Sequence, residues 1–242
     1  MVKYHWNQLW RLFLVQSSRN NRTVDGLGFF HVLSPLLGRW AGGRDRREDI
    51  AERHIGYFNA NPILASYVAG VVVNLEERRK AGEDVSRKYI ERVKSTLSSV
   101  STARGDYFFK VVLIPLGLTI GSIFAIYGSY IGLVIFLALY NFYHFRVRIG
   151  GYLKGVRLGE EVAGELATHL SREQGLLGGF AAFASGAFAA LVFARAYEMG
   201  GARFAGWGIF VVALALGLRK RLSFSWSVMI VFLTTALFLL VW

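Results

Sequence analysis

Cysteine is absent from this 242-residue chain, and its five histidines are spread over the whole length. The lack of cysteine excludes disulfide bonds, cysteine-ligated metal sites and thiol chemistry. No two histidines stand in an HxxxH or similar pair, so we expect no metal site. Acidic residues are in deficit, with 16 Asp and Glu against 28 Lys and Arg, which leaves a formal net charge of +12. The class of partner therefore depends on where the basic residues lie.

The basic residues bracket long uncharged apolar runs. They do not form a stripe interleaved with stacking aromatic residues, which is typical of nucleic-acid-binding proteins. Hydrophobic residues make up 54% of the chain, above the roughly 45 to 50% usual in soluble domains. The composition predicts a lipid bilayer with an anionic cytoplasmic surface as the partner, and no nucleic acid.

One stretch, HIGYFNANPILASYVAGVVVNLEE, organises the N-terminal half of the chain. It begins at His54 and carries no formal charge before Glu76 and Glu77. Its apolar part, residues 63–73, would form a helix of roughly 17 Å, about half of a hydrocarbon core. A short apolar helix between a polar turn and two carboxylates predicts a segment that dips into a membrane or lines a polar cavity. A buried helix of a soluble domain is the alternative.

The N-terminus carries apolar residues at helical spacing: Trp6, Leu9, Trp10, Phe13 and Leu14. This spacing predicts an amphipathic helix that lies on a membrane or on a partner. Gln8 and Arg11 interrupt the apolar region, so the segment does not have the pattern of a signal peptide.

Long uncharged runs dominate the rest of the chain. Residues 111–145 contain no formal charge and have basic residues at both ends, which predicts an apolar hairpin, either re-entrant or crossing twice. Further uncharged runs predict about three C-terminal transmembrane helices; they are 174–194, 204–218 and 222–242. The predicted fold is an all-α integral membrane protein with amphipathic and re-entrant hairpins in its N-terminal two-thirds. Four regions of one domain are expected: 1–110 amphipathic and re-entrant, 111–145 hairpin, 146–174 cytoplasmic connector and 175–242 transmembrane helices.

Several motifs occur in a characteristic order. HIGYFNANP and NLEE supply His54, Phe58, Asn59, Pro62, Leu75, Glu76 and Glu77. Upstream positions are Gln16, Asn20, Gly28, Phe29 and Pro35, and downstream positions are Gly105, Asp106, Pro115, Gly132, Tyr140 and Asn141. Together these motifs resemble component IID of the mannose-type sugar phosphotransferase system, whose signatures include His-x-x-Phe-Phe-Asn-Thr-x-Pro and Leu-Glu-Glu. The resemblance covers nearly the whole chain.

The resemblance implies a multi-pass subunit of the bacterial inner membrane that pairs with the channel component IIC. Such pairs would assemble into a larger oligomer. A hexose or amino sugar would pass through the complex and be phosphorylated by the histidine phosphate of soluble IIB, with IIA as an indirect partner. The IID subunit itself would be non-catalytic, with no phosphorylated residue, no cofactor and no metal.

Polar residues near the apolar runs are the candidates for substrate binding or for the translocation path, by resemblance to the family: Gln16, Asn20, Asn59, Glu76, Glu77, Asp106 and Asn141. Amides and carboxylates match the donors and acceptors of sugar hydroxyls, and ionisable groups inside a membrane are functional candidates because their burial is costly. Structural motif positions are expected at His54, Phe58, Pro62, Gly105 and Pro115.

The candidates also have structural explanations. Asn59 and Asn61 would serve equally well as caps of a helix beginning at Pro62. Pairing with Arg78, Arg79 or a more distant arginine would explain the two glutamates.

Asp106 would serve as the N-cap of the helix that follows it. For His54, packing or a hydrogen bond at a helix end is favoured over phosphoryl acceptance, and His144 and His169 receive no catalytic assignment.

Around Gly105 the chain departs from the family pattern. Residues 99–104 replace a glycine-rich segment, Ala60 replaces the motif threonine, and Lys110 stands where a tryptophan is expected. These departures support a second hypothesis, a degenerate IID paralogue that acts as a regulatory or scaffold subunit without transport. A third hypothesis is an unrelated membrane structural protein. The transport subunit ranks first.

Overall fold

The protein is almost entirely helical over the residues that its computed structural model describes, which are 2–42, 45–198, 201, 205–206 and 208. Within these residues there is no β-strand, only isolated bridges. This agrees with the all-α prediction. The predicted transmembrane helix at 222–242 lies outside the described residues, and the one at 204–218 lies outside them except for residues 205, 206 and 208.

Four helices form the N-terminal part: α1 (Val2–Arg11), α2 (Gly26–Leu33), α3 (Leu37–Trp40) and α4 (Arg47–Ile55). A short 3₁₀ turn, Leu12–Leu14, follows α1, and another, Ser34–Leu36, joins α2 to α3. Their apolar faces meet in a core that includes Leu12, Phe29, Leu33 and Ile50, each fully buried. The amphipathic pattern of these short helices therefore serves largely to cover a shared apolar interior.

Helix α5 (Ala65–Lys80) is buried along most of its length and packs against α8 (Ile131–Leu158). Glycines make this crossing close. A Cβ atom on Gly70 would collide with the backbone of α8 at Tyr152 and Gly155. Because the two backbones touch, α5 is held by protein along this crossing.

Helix α6 (Arg87–Asp106) begins at Ser86, whose hydroxyl accepts a hydrogen bond from the Tyr89 amide at 3.1 Å. The helix continues without a break through a π-helical segment, Tyr107–Leu113, into α7 (Ile114–Ile126). A turn at residues 127–130 then reverses the chain into α8, and Gly128 adopts φ of +69° there. Residues 111–145 thus form a helical hairpin.

After α8 a 3₁₀ turn, Gly159–Glu161, leads into the long helix α9 (Val162–Glu198). The segment predicted as a connector, 146–174, is therefore the end of α8 and the start of α9. The chain divides into two compact units, residues 1–184 and 185–242.

Among the described helices, two are long and apolar enough to span a membrane: Arg87–Ile126, with 40 residues, and Arg172–Val192, with 21 residues. The most apolar part of the second has no residue buried within the fold. Helix α5 is not among them, in agreement with its interpretation as too short for a continuous span.

Candidate functional site

The loop between α4 and α5 carries the FNANP motif and is fixed by backbone pairing. The Phe58 amide donates to the Thr23 carbonyl at 3.1 Å, and the Asp25 amide donates to the Phe58 carbonyl at 2.9 Å. The Phe58 ring stacks on Phe29 with centroids 4.0 Å apart. Residues 20–25 therefore act as a template for the loop, and the motif phenylalanine is its buried anchor.

Asn20 shapes this template. Its side-chain oxygen accepts from the amides of Arg22 and Thr23 at 2.9 Å, and its nitrogen donates to the Thr23 hydroxyl at 2.9 Å. These local bonds are those of an Asx-type turn. In this structure Asn20 holds a turn, and Gln16 nearby is exposed.

Glu76 lies at the centre of a buried ionic cluster. Its carboxylate accepts from Arg53 Nε at 2.8 Å and from Arg53 Nη2 at 2.7 Å. His54 Nε2 lies 2.8 Å from the same carboxylate, and the side chains of all three residues are nearly inaccessible. The partner of Glu76 is thus a distant arginine, one of the alternatives left open by the sequence.

The cluster extends to Asp45, which bridges Arg53 and Arg79 at 3.1 and 2.6 Å. The hydrogen bond from Arg79 holds the pKa of Asp45 at about 2. Burial alone would raise the pKa of Glu76, but hydrogen bonds from His54 and Arg53 outweigh it, so the net direction is downward. Burial lowers the pKa of His54 and outweighs the hydrogen bond to Glu76, which would raise it. The cluster is a bidentate ion pair extended by a second carboxylate.

Glu77 has different surroundings from its neighbour. It pairs with Arg39 at 3.0 Å and accepts from the Trp40 indole at 2.9 Å, and its side chain is 31% exposed. The two glutamates of the motif therefore fix α5 to different helices, α4 and α3.

Asn61 and Asp106 meet across 45 residues of sequence. The Asn61 amide donates to Asp106 Oδ1 at 2.9 Å, and Lys110 Nζ donates to Asp106 Oδ2 at 2.9 Å. Asn61 also accepts from the amides of Ile63 and Leu64, so it caps the turn that leads into α5. Asp106 lies within a continuous helix and is not an N-cap.

Gly105 permits this contact. A Cβ atom there would lie 2.5 Å from both Cβ and Cγ of Asn61. The π-helical segment begins directly after Asp106, and π-helical turns within α-helices are frequent at functional sites. In the Gly-Asp motif, Gly105 thus lets the loop approach α6 closely, and the adjacent Asp106 supplies the carboxylate that binds Asn61.

A groove with several hydroxyl groups in its lining lies beside the loop, between it and α6. Its volume is about 340 Å³, and it is lined by Tyr57, Phe58, Asn59, Ser95, Ser98, Ser99, Thr102 and Ala103. The Thr102 hydroxyl lies 3.1 Å from the Asn59 carbonyl and 3.0 Å from that of Ser98. No described residue hydrogen-bonds to the side-chain amide of Asn59, and no charged side chain lines the groove.

The structure brings Asn59, Asn61 and Asp106 together where the loop contacts α6. It does not bring Asn141 to them, since Asn141 is exposed and donates to the Leu137 carbonyl of its own helix at 2.8 Å. Pro115 lies in the first turn of α7, where its carbonyl accepts from Thr119.

Several groups at the site were not anticipated from the sequence. Arg53 is one, although it stands next to the motif histidine. Arg148 is another: it is buried, donates to the carbonyls of Leu12 and Pro62 at 2.7 and 3.1 Å, and lies 4.4 Å from the ring centroid of Phe13. Arg148 therefore ties α8 to the N-terminal helices and to the loop. Among the described residues, no cluster of His, Asp and Glu has the arrangement of a metal site.

Known proteins provide an independent comparison. Residues 2–193 match the family model of the PTS system mannose/fructose/sorbose family IID component. The mannose-specific EIID component of Escherichia coli K12 is 28% identical over 172 residues, which are 69% of this chain and 61% of that protein. The fructose permease IID component of Bacillus subtilis 168 is 26% identical over 167 residues, covering 67% of this chain and 61% of that protein. The match thus spans about three fifths of the length of these relatives.

The chain is also similar to chains in solved structures. The chain is similar to one in the cryo-EM structure of mannose transporter ManYZ with microcin E492, with a TM-score of 0.59 and 25% identity over 77% of this chain and 69% of that one. A structure described as a membrane protein gives a TM-score of 0.68 at 25% identity, with the same coverage. With the sequence match over four fifths of its length, this chain is a membrane protein that belongs to the mannose/fructose/sorbose family of PTS IID components.

Proposed function

We propose that this chain is the IID subunit of a sugar permease and pairs with a IIC component in the bacterial inner membrane, crossing the membrane more than once. The pair carries a hexose or amino sugar inward, and a phosphohistidine of soluble IIB phosphorylates it, with IIA acting indirectly. The IID chain contributes no phosphorylated residue. Its part in transport is to hold the sugar and shape its path.

The groove beside the FNANP loop is the observation that supports this proposal most directly. Its hydroxyl groups donate to carbonyls of their own helix or of the loop, as at Ser98 and Thr102. Because the hydroxyl hydrogens of Ser98, Ser99 and Thr102 are used in this way, their oxygen lone pairs remain as acceptors. The Asn59 amide adds donors and an acceptor, and Tyr57, 68% exposed, adds an aromatic face.

This lining suits a neutral, polyhydroxylated ligand. Sugar hydroxyls donate to the serine and threonine oxygens, and the apolar face of a hexose ring can pack on Tyr57. A phosphorylated sugar would find no cation in the groove lining. Of the candidate residues, we assign ligand contact to Asn59 and an adjoining position to Asp106, and we assign positioning of the loop and α5 to Glu76, Glu77 and Asn20.

The experiment is co-expression with IIC and IIB components of the same family in cells that lack other mannose-type systems. Labelled mannose, glucose and glucosamine are supplied, and sugar phosphate is measured. We expect Asn59→Ala and Tyr57→Ala each to lower the initial rate about tenfold, the loss of one or two good contacts. Asn21→Ala, in an exposed turn, is the matched control. Equal rates for Asn59→Ala and the control would contradict the assignment.

A regulatory or scaffold subunit is the second candidate, and the ion pair of Asp106 with Lys110 favours it. Lys110 occupies one carboxylate oxygen and Asn61 the other, which leaves Asp106 less free to bind a sugar hydroxyl. This function predicts that the chain co-purifies with IIC while labelled sugar phosphate does not accumulate.

A further inference from the structure

The outer face of α1 carries two tryptophans that the protein leaves uncovered. Trp6 and Trp10 are one helical turn apart and are 65% and 72% exposed. On the opposite face Gln8 is buried, with 1% exposure, and on the flank Leu9 is buried, with 7% exposure. Helix α1 is therefore already attached to its own protein by one face, and its most apolar side chains point away from that contact.

A third face of α1 is polar. Asn7 and Arg11 bond to each other at 2.9 Å on the exposed flank, and Arg11 also donates to the His31 carbonyl at 3.0 Å. A helix with an apolar aromatic face beside a cationic flank is typical of segments that lie in the plane of a membrane surface.

The turn that follows α1 contacts α8 at the point where its uncharged run ends and charged residues begin. The Phe13 ring is 5.7 Å from the Phe145 ring and stacks on His144 at 5.9 Å. Phe145 is the last of 35 residues without formal charge, and Arg146 follows it. In a membrane protein such a change from apolar to basic residues marks the boundary between hydrocarbon and water.

The exposed aromatic surface is continuous across this boundary. Trp10 lies 5.9 Å from Phe13 by ring centroids, and Phe13 contacts Phe145, which is 47% exposed. One turn further into the apolar run, Phe142 is 60% exposed. The exposed tryptophans of α1 therefore continue the apolar surface of the hairpin at the end of the hairpin where Phe145 lies.

We propose that α1 is an interfacial anchor, with Trp6 and Trp10 inserted among lipid headgroups beside the charged end of α8. The occupant of this face is the bilayer itself. Indole rings favour this depth because they combine a large apolar area with a polar N–H. The anchor fixes the height of the N-terminal helices in the membrane, and with it the height of the loop that α2 and residues 20–25 position. The proposal requires membrane insertion only and does not depend on the sugar.

The test uses lipids brominated near the headgroup or near the end of the acyl chain, because bromine quenches a nearby indole. The full chain, with and without IIC, is placed in phosphatidylcholine–phosphatidylglycerol vesicles. One reporter retains Trp10 alone, with Phe at the other five tryptophan positions. The control reporter retains Trp40 alone, which is 3% exposed and bonded to Glu77.

We expect shallow bromine to reduce Trp10 emission by roughly half, deep bromine to reduce it less, and Trp40 to change little, since the rings lie at headgroup depth. Acrylamide in the aqueous phase should quench Trp10 less in vesicles than in mild denaturant. Quenching of Trp10 no stronger than that of Trp40 would overturn the proposal. Shallow quenching that disappears when IIC is added would also overturn it, because the face would then be a protein interface.

Discussion

Arg53 and Glu76, 23 residues apart in sequence, form a bidentate ion pair with distances of 2.8 and 2.7 Å in the interior of the protein. The pair joins α4, which ends just before the FNANP loop, to α5, which begins just after it. His54 bonds to the same carboxylate at 2.8 Å. The Glu76 carboxylate thus fixes the end of α4, where the loop begins, against α5. The position of the loop therefore depends on a residue that does not line the groove.

Removing the charge of Glu76 should destabilise the fold strongly. In Glu76→Gln, the buried Arg53 loses its main counter-charge, and breaking one partner of a buried pair costs about 3 to 5 kcal/mol. Glu77→Gln, at a side chain that is 31% exposed, should cost less than about 1 kcal/mol. Denaturant titration in detergent, followed by circular dichroism, measures both. Equal losses of unfolding free energy in the two variants would show that the buried pair stabilises the fold no more than the exposed one.

Asp45 makes the fold sensitive to acid. Its pKa is lowered from 3.8 to about 2 in the folded state, so folding stabilises the ionised form. The stabilisation is complete above the unfolded pKa and is lost as the pH falls through the folded one. We expect the free energy of unfolding to fall between about pH 4 and pH 2, by about 2 kcal/mol from this group. In Asp45→Asn the fall should be correspondingly smaller, and an unchanged pH profile would contradict the assignment.

Gly105 should not tolerate a side chain. In Gly105→Ala the new Cβ would overlap Asn61 at 2.5 Å, which would displace Asn61 and break its bond to Asp106. Gly121→Ala is the matched control, because no heavy atom lies within 4 Å of its Cβ position. We expect thermal unfolding of Gly105→Ala to occur several degrees lower, since Asn61 must shift and the loss of a partly buried hydrogen bond costs about 1 kcal/mol. A melting temperature equal to that of Gly121→Ala would show that the contact can relax.

Val24 holds a strained backbone. Its φ of +56° lies in the left-handed region, which costs a β-branched residue roughly 1 to 2 kcal/mol. Asparagine adopts this conformation more readily, so Val24→Asn should raise the free energy of unfolding by about 1 kcal/mol, whereas Val24→Ile should not. Equilibrium unfolding distinguishes them. Lower stability in Val24→Asn would mean that the apolar contacts of Val24 outweigh its strain.

Contiguous motifs made part of the site predictable from the sequence. His54, Phe58 and Pro62 lie within nine residues, and their local spacing was enough to identify the loop and the short helix after it. The pattern of apolar residues likewise predicted an all-helical chain.

Contacts between distant residues were not predictable. Arg53, Asp45 and Lys94 look like ordinary residues of charged helices, yet Lys94 donates to the Arg53 carbonyl at 2.7 Å inside the protein. The serines of α6 were equally inconspicuous, because a hydroxyl that lines a groove has the same local sequence as one that faces water. Asn20 was a candidate for ligand binding, but its side chain bonds only within its own turn.

We propose that this chain is a necessary part of a sugar-phosphorylating permease. The most direct measurement is accumulation of labelled hexose phosphate in cells that express IIC and IIB with this chain, compared with cells that lack only this chain. We predict accumulation in the first and none above background in the second. Equal accumulation in both, or no accumulation of any of the three sugars in either while the chain co-purifies with IIC, would contradict the account.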